Sequence, residues 1–308
     1  MPHVTKQDWS KASTPWSIEG RAQGYDRLTM LSPDVGDTVH TDLGIGRLQP
    51  GGRVDLHLHS YEEAVYVLEG TVRVQIDGKA YLLQRGDYAF FPIGCVHGFS
   101  NDARAEARWL DVNSPVALRR ESGRRDTFFP KIDGDMSAQA KAPDFTDPTL
   151  ALVGHYEGTA PDHVSAATSG DARNRSSAGM NTAVLSYSGI SVKMMVDELR
   201  GANLLNMFMV DYEVNGAAQV HDHPFEEAYF FLEGDTDFEL DGVTYHVEPG
   251  DLAWAGVGET HACFNTAGGR VRWIETQSPL PPVKHSYRWP ADWQHFEHQV
   301  CEEGTADA

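Results

Sequence analysis

Eight side chains of this 308-residue sequence fall into two identically ordered sets: His57, His59, Glu63 and His97, then His221, His223, Glu227 and His261. Imidazole nitrogens joined by one carboxylate oxygen are the donors that borderline divalent metals take at about 2.0–2.2 Å. Residues two apart on a strand share a face, so His57, His59 and Glu63 are expected on one side and Glu62 on the other, provided the strand runs on without a bulge. Pro224 strains that condition in the second set. A later hairpin then delivers His97 or His261. A single histidine more often fills a polar core position, but two complete sets at matched spacing leave far less room for accident. Four protein ligands leave one or two positions on a five- or six-coordinate ion for water, dioxygen or a bidentate substrate. Glu63 or Glu227, swinging off the ion, would then be the candidate general base. Strand parity also places Phe99 and Cys263, two residues beyond His97 and His261, beside the ions as candidate lining of a substrate pocket. Core packing is the competing role for Phe99, and an inert buried thiol the competing role for Cys263.

The elements that must position these residues are themselves repeated. At an offset of 164 residues, Gly52 to Pro115 falls on Gly216 to Pro279 without a gap: Leu68-Glu69-Gly70 on Leu232-Glu233-Gly234, Gly86-Asp87 on Gly250-Asp251, Asn101 on Asn265, Arg108-Trp109 on Arg272-Trp273. One long period occurring twice indicates a duplicated domain, since solenoids repeat short units many times. Short apolar runs, Ala64–Leu68, Ala80–Leu83 and Tyr88–Phe91, alternate with turn signals, and Asp77-Gly78 and Asp241-Gly242 predict tight hairpins because both residue types tolerate positive φ. The fold class read from this pattern is all-β, two tandem antiparallel barrels with minor helical segments. The expected organisation is an N-terminal barrel over 1–115, a connector over 116–179, a C-terminal barrel over 180–279 and a tail over 280–308. Within the connector, apolar Thr149–Tyr156 is expected to pack on a barrel, and Ser- and Ala-rich Val164–Ala178 to be mobile. The tail, with Tyr287, Trp289, Trp293 and Phe296, is expected to pack on a barrel or a neighbouring subunit before a disordered acidic end.

Composition narrows the partners. A net charge of −20 disfavours nucleic acid and anionic membranes, no apolar run is long enough to span a bilayer, and Met1–Ser10 lacks the pattern of a secretory signal. A cytoplasmic protein is expected. Cys95, Cys263 and Cys301 form neither a paired framework nor a CxxC clip, as in a reducing compartment. The cluster Arg119, Arg120, Arg124 and Arg125 reads as solvated surface, Trp109 and Trp273 as barrel wall, and Asp111 and Glu275 as partners behind the ligands or surface acids. A homodimer would be an ordinary outcome for exposed barrel edges.

These segments resemble the two motifs of the cupin superfamily. Gly51, His57, His59, Glu63 and Gly70 fit the first motif at every spacing, and Gly86, Pro92, Gly94, His97 and Asn101 fit the second. The second copy departs in Gly216, one residue closer to His221 than the pattern asks, and in Gly256, which stands where proline is expected. The resemblance implies a bicupin of two double-stranded β-helix (jelly-roll) barrels, each holding one divalent transition metal, with iron, manganese and nickel ahead of cobalt, copper and zinc. The motif sets resemble in particular those of quercetinase-like bicupin dioxygenases, which implies an enolic or phenolic small-molecule substrate and dioxygen as partner. The alternative the resemblance implies is non-oxidative chemistry of the ureidoglycine aminohydrolase or oxalate decarboxylase kind, and a third reading is a small-molecule-binding module without catalysis.

Overall fold

The computed structural model describes residues 3–131, 139–147, 149–156 and 187–281. The expectations for Val164–Ala178, for Cys301 and for the aromatic tail lie outside the described residues. The chain divides into two compact units. Its strands are β1 (Val4–Thr5), β2 (Ala22–Leu31), β3 (Asp42–His59), β4 (Glu62–Glu69), β5 (Thr71–Ile76), β6 (Lys79–Gln84), β7 (Asp87–Phe91), β8 (His97–Ser100), β9 (Ala107–Ser114), β10 (Thr127–Phe128) and β11 (Val153–His155), then β12 (Tyr187–Val196), β13 (Asn206–His221), β14 (Glu226–Glu233), β15 (Thr236–Leu240), β16 (Val243–Val247), β17 (Leu252–Ala255), β18 (His261–Phe264) and β19 (Val271–Ser278). Helix is confined, among the described residues, to single 3-10 turns such as Trp16–Ile18 and Arg120–Ser122.

In the first unit one curled sheet runs β11-β7-β4-β9-β3-β8-β5-β6, with β2 and β10 also paired to β3. The second unit repeats the core of that order as β17-β14-β19-β13-β18-β15-β16, with β12 on β13. Registers repeat at the same offset: Glu63 lies opposite Phe91 and Glu227 opposite Ala255, Ile76 opposite His97 and Leu240 opposite His261. The Asp-Gly hairpins form as the sequence predicts, with φ of 45° at Asp77 and 82° at Gly78, and 48° and 75° at Asp241 and Gly242.

The long strand β3 does two jobs. Its first half pairs with β9 from Asp42 to Leu48, and its second half pairs with β8 from Arg53 to His57. Between them the chain bends at Gly51, whose φ is +74°. Asn215 stands at the matching bend of β13 with φ +64°, so the shifted glycine of the second copy is accommodated by a residue that also tolerates the left-handed region. The other departure, Gly256, gives the backbone an N–H that proline lacks, and it donates to Glu259 Oε2 at 2.6 Å. The connector contributes strands to the first barrel: β10 pairs Thr127 with His59, and β11 pairs Val153 with Ala89.

The first core gathers Val54, Val65, Val67, Val72, Val74, Leu83, Phe91, Phe99 and Trp109. Trp109, 1% exposed, lies so close to β3 that a Cβ on Gly46 would stand 2.6 Å from its Cε2. Gly46→Ala must therefore displace a buried indole, at about 1–3 kcal/mol. The variant is expected to melt several degrees below the wild type by circular dichroism; an unchanged melting curve would contradict this packing.

Candidate metal centres

The two ligand sets converge. In each, one ligand atom per residue lies within 4.8 Å of every other, and all eight residues are buried. Two donors at about 2.0–2.2 Å from one ion stand at most about 4.4 Å apart, so each set closes round an ion with small side-chain shifts. His261 Nε2 is buried and makes no hydrogen bond, as an atom reserved for a metal would be.

The local path of the chain differs from a single continuous strand. β3 ends at His59, the chain turns through Ser60 and Tyr61, and Glu63 stands on β4. Glu62 does turn away from the set, accepting the backbone N–H groups of Asn203 at 2.8 Å and Leu204 at 2.9 Å within the same unit. A bulge also separates the ligands from the rest of β3: Val54 pairs with Phe99 and His57 with His97, three residues against two. The second barrel carries the same irregularity between Ala218 and His221. An extra residue sharpens the local twist and re-aims the side chains beyond it.

Hydrogen bonds fix which imidazole nitrogen faces the centre. His57 Nδ1–H donates to Asp55 O at 2.7 Å and His97 Nδ1–H to Cys95 O at 3.0 Å. His221, His223 and His261 do the same to Gln219 O at 2.7 Å, Phe225 O at 2.8 Å and Glu259 O at 3.0 Å. A carbonyl only accepts, so the proton sits on Nδ1 and the Nε2 lone pair is left for a metal. His59 Nδ1 lies 3.0 Å from Thr127 Oγ1 on β10, a partner nothing in the sequence pattern marks. Burial, with the neighbouring imidazoles His97 and His59, holds His57 well below the ordinary histidine range, and burial also lowers His59 and His221. Burial alone would raise Glu63, but His97 and His59 more than offset it and hold its carboxyl well below the ordinary range; His223 and His261 do so for Glu227 against the same burial. Burial thus favours the neutral form at His57, His59 and His221, and Glu63 and Glu227 stay ionised, the forms a cation requires.

The surroundings of the two centres are unlike. Above the first lies a cavity of about 480 Å³ reached by His57, His59, Glu63, Tyr61, Phe99 and Asp111. At the second the cavity is about 20 Å³, room for about one water. Phe99 against Cys263 and Val54 against Ala218 give the first barrel the larger side chain, but four other pairs related by the repeat run the opposite way: Val65 against Tyr229, Val74 against Phe238, Asp111 against Glu275 and Asn113 against Gln277. In these four the second barrel has the larger side chain. Tyr229 O–H donates to Glu227 Oε2, Gln277 Nε2 donates to Glu227 Oε1 at 2.6 Å, and Trp273 Nε1 donates to Glu275 Oε2 at 3.0 Å. Burial, then the charge of Glu227, pushes Glu275 well above the ordinary carboxyl range.

The pocket candidates part company accordingly. Phe99 lines the large cavity and stacks on Trp109 at 4.9 Å, whereas Cys263 lines the small one and is raised by burial, an unreactive thiol. Asp111 and Glu275 are both buried, so the surface reading does not hold for either. Residues the sequence reasoning missed include Tyr61, whose ring stacks on His59 at 4.2 Å with its hydroxyl 3.5 Å from Nε2, and Arg27, buried between Asp42 at 2.7 Å and Asp111 at 2.8 Å. For Tyr61 the repeat itself carries the signal, since Tyr61 matches Phe225.

Residues 44–113 and 208–276 each match the cupin domain family. A relative named polyketide synthase CurC, from Streptomyces cyaneus, is 35% identical over 119 residues, covering 38% of this chain and 77% of its own length. Among solved structures, the salicylate 1,2-dioxygenase of Pseudaminobacter salicylatoxidans superposes with TM-score 0.66 at 17% identity, covering 90% of this chain and 84% of that one. A single-residue variant of the oxalate decarboxylase of Bacillus subtilis superposes with TM-score 0.59 at 15% identity, covering 97% and 84%. The protein is a member of the cupin family, with two barrels that each bring together three histidines and a glutamate able to hold a metal ion.

Two outcomes test these centres. His57→Ala and His221→Ala should each lower bound metal to about half that of the wild type, on a one-ion-per-barrel basis, by elemental analysis; an unchanged metal content in either variant removes that site. Asp111 supplies the pH test. Burial pushes its carboxyl up to about 6, against the pull of Arg27 and with a further push from Glu63. The folded state therefore holds this proton more tightly than the unfolded chain, so its stabilising contribution is complete below about pH 4 and is lost as pH climbs through about 6. Measured against Asp111→Asn by urea denaturation, the wild type should lose on the order of 2–3 kcal/mol of relative stability between about pH 4 and about pH 7.5; a relative gain would contradict the sign.

Proposed function

We propose that the protein is a metal-dependent enzyme whose N-terminal barrel binds an enolic or phenolic small molecule and opens it oxidatively with dioxygen. The observation that carries this reading is the cavity of about 480 Å³ standing directly on one of two otherwise matched ligand sets. Its volume is that of a small-molecule site, commonly about 300–1,000 Å³. The relative named a polyketide synthase adds support, because polyketides are rich in the enol and phenol groups that chelate metals.

His57, His59, Glu63 and His97 would hold the ion, which when bound supplies Lewis acidity and, if redox-active, a path for electrons to dioxygen. Glu63, ionised at neutral pH, can take the proton of an incoming hydroxyl. We assign this role to Glu63 rather than Glu227, because Glu227 is held on one oxygen by Gln277 and on the other by Tyr229. Tyr61 lines the same cavity, and burial, reinforced by Glu63, raises its hydroxyl well above the ordinary range. It therefore stays protonated and donates a hydrogen bond to a substrate oxygen beside His59. Tyr25 and Phe99 supply flat apolar wall, each stacked on Trp109 at 5.6 and 4.9 Å. The second barrel, with room for about one water, would hold its ion as a structural element.

Non-oxidative turnover, as a hydrolase, decarboxylase or isomerase, is the second reading. The polyketide synthase relative favours it, since carbonyl chemistry on such a chain needs a Lewis acid and a base but no oxidant. An oxygen electrode with a panel of enols, catechols and flavonoids separates the two. The first reading expects one dioxygen consumed per substrate lost; turnover unchanged under anaerobic conditions transfers the assignment to the second. Val65→Tyr, which copies Tyr229 into the first barrel, should abolish turnover of either kind while metal content stays within about a fifth of the wild type, judged on the one-ion-per-barrel basis. Retained activity in that variant would move the reaction out of this cavity.

A further inference from the structure

We infer that the N-terminal cavity selects uncharged, hydroxyl-bearing aromatic or enolic compounds and discriminates against carboxylates; the inference rests on reading this cavity as the substrate site. Arg27, Arg119 and Arg120 line it, and each already faces a carboxylate. Arg27 is shared by Asp42 at 2.7 Å and Asp111 at 2.8 Å, Arg119 meets Asp34 at 3.0 Å, and Arg120 meets Glu19 at 2.6 Å. Carboxylates outnumber arginines along the wall, with Glu63 and Glu121 added to those four, and no lysine lines it among the described residues. The two arginines near the mouth are half exposed, and their pairs could exchange with solvent at little cost.

Arg27 cannot. Its side chain is 8% exposed and those of its partners Asp42 and Asp111 13% and 7%, so turning it toward a ligand would leave two carboxylates desolvated without their cation. A substrate carboxylate approaching this wall meets two negative charges and one guanidinium already committed to them. What the wall offers instead is acceptors. Asn113, 7% exposed, spends its Nδ2 on Asp111 Oδ1 at 3.0 Å, which fixes the amide so that Oδ1 is left buried with no hydrogen-bond partner. A buried acceptor without a partner is costly, and a ligand hydroxyl that reaches Oδ1 through a small shift of the Asn113 side chain relieves that cost. The salicylate dioxygenase and oxalate decarboxylase that share this fold are named for carboxylates, so the wall chemistry separates this chain from both.

The test uses zinc-loaded wild-type protein, which cannot pass electrons to dioxygen, and a matched pair of ligands at pH 7.5. Both 3,4-dihydroxybenzoate and its methyl ester present the same two adjacent hydroxyls and differ at the far end by one charge. Isothermal titration calorimetry should show the ester binding at least about 10-fold more tightly, in line with charge discrimination at a partly desolvated wall. Asn113→Ala should weaken the ester by about 5- to 10-fold, the worth of one hydrogen bond to a buried acceptor, with an unchanged melting temperature showing that the barrel is intact. Asp42→Asn, which leaves Arg27 only one carboxylate, should narrow the ratio between the ligands. Equal or tighter binding of the acid, or binding of neither ligand, overturns the inference. Tight binding of the ester without oxygen consumption in the iron-loaded protein leaves the inference standing and removes only the oxidative reading.

Discussion

Everything else in these barrels depends on five backbone carbonyls that hold imidazole Nδ1 protons. By accepting them, Asp55, Cys95, Gln219, Phe225 and Glu259 settle the tautomer of five histidines and present their Nε2 lone pairs to two interior points. The Glu63 carboxylate lies 2.9 Å from His97 Nε2 and 3.2 Å from His59 Nε2, so a cation held among them would offset the cost of gathering acceptor atoms in a dry interior. The bulge before His57, the turn at Ser60-Tyr61 and the antiparallel return through β8 all serve that convergence. Because the same bulge and registers recur in the second unit, the duplication preserved the geometry of the ligands along with their identity.

What diverged is the space beside the ligands. Tyr229, Phe238, Glu275 and Gln277 fill the second barrel and tie Glu227 down on both oxygens, while valines, Asp111 and Asn113 leave the first barrel open. One residue longer by a methylene decides where a polar group lands: Gln277 reaches Glu227, whereas Asn113 reaches only Asp111. The indole of Trp273 finds Glu275, but the shorter Asp111 turns to Arg27 and leaves Trp109 Nε1 without a hydrogen-bond partner. A matched pair of centres thus becomes one reachable from a cavity and one enclosed.

Spacing alone made the ligand sets, the barrels and the Asp-Gly hairpins readable, because each depends on short-range rules of parity, turn chemistry and motif length. The path between His59 and Glu63 was not, since a turn and a continuous strand give the same parity at this spacing. Arg27 and Thr127 were hidden for another reason: their roles arise from β2 and β10 packing beside β3, contacts of long sequence separation that no local pattern encodes. The difference between the barrels was legible all along in Val65 against Tyr229 and Val74 against Phe238, but only once the fold shows that these positions point inward.

The central claim is that two like metal sets differ in access, and cobalt reports it directly, because its visible absorption follows a change of ligands at each ion. Protein loaded with cobalt in both barrels should show about half of its absorption shift when a catechol is added, the other half remaining unmoved, as one accessible and one enclosed ion require. A shift of the whole band, or of none of it, would contradict the account.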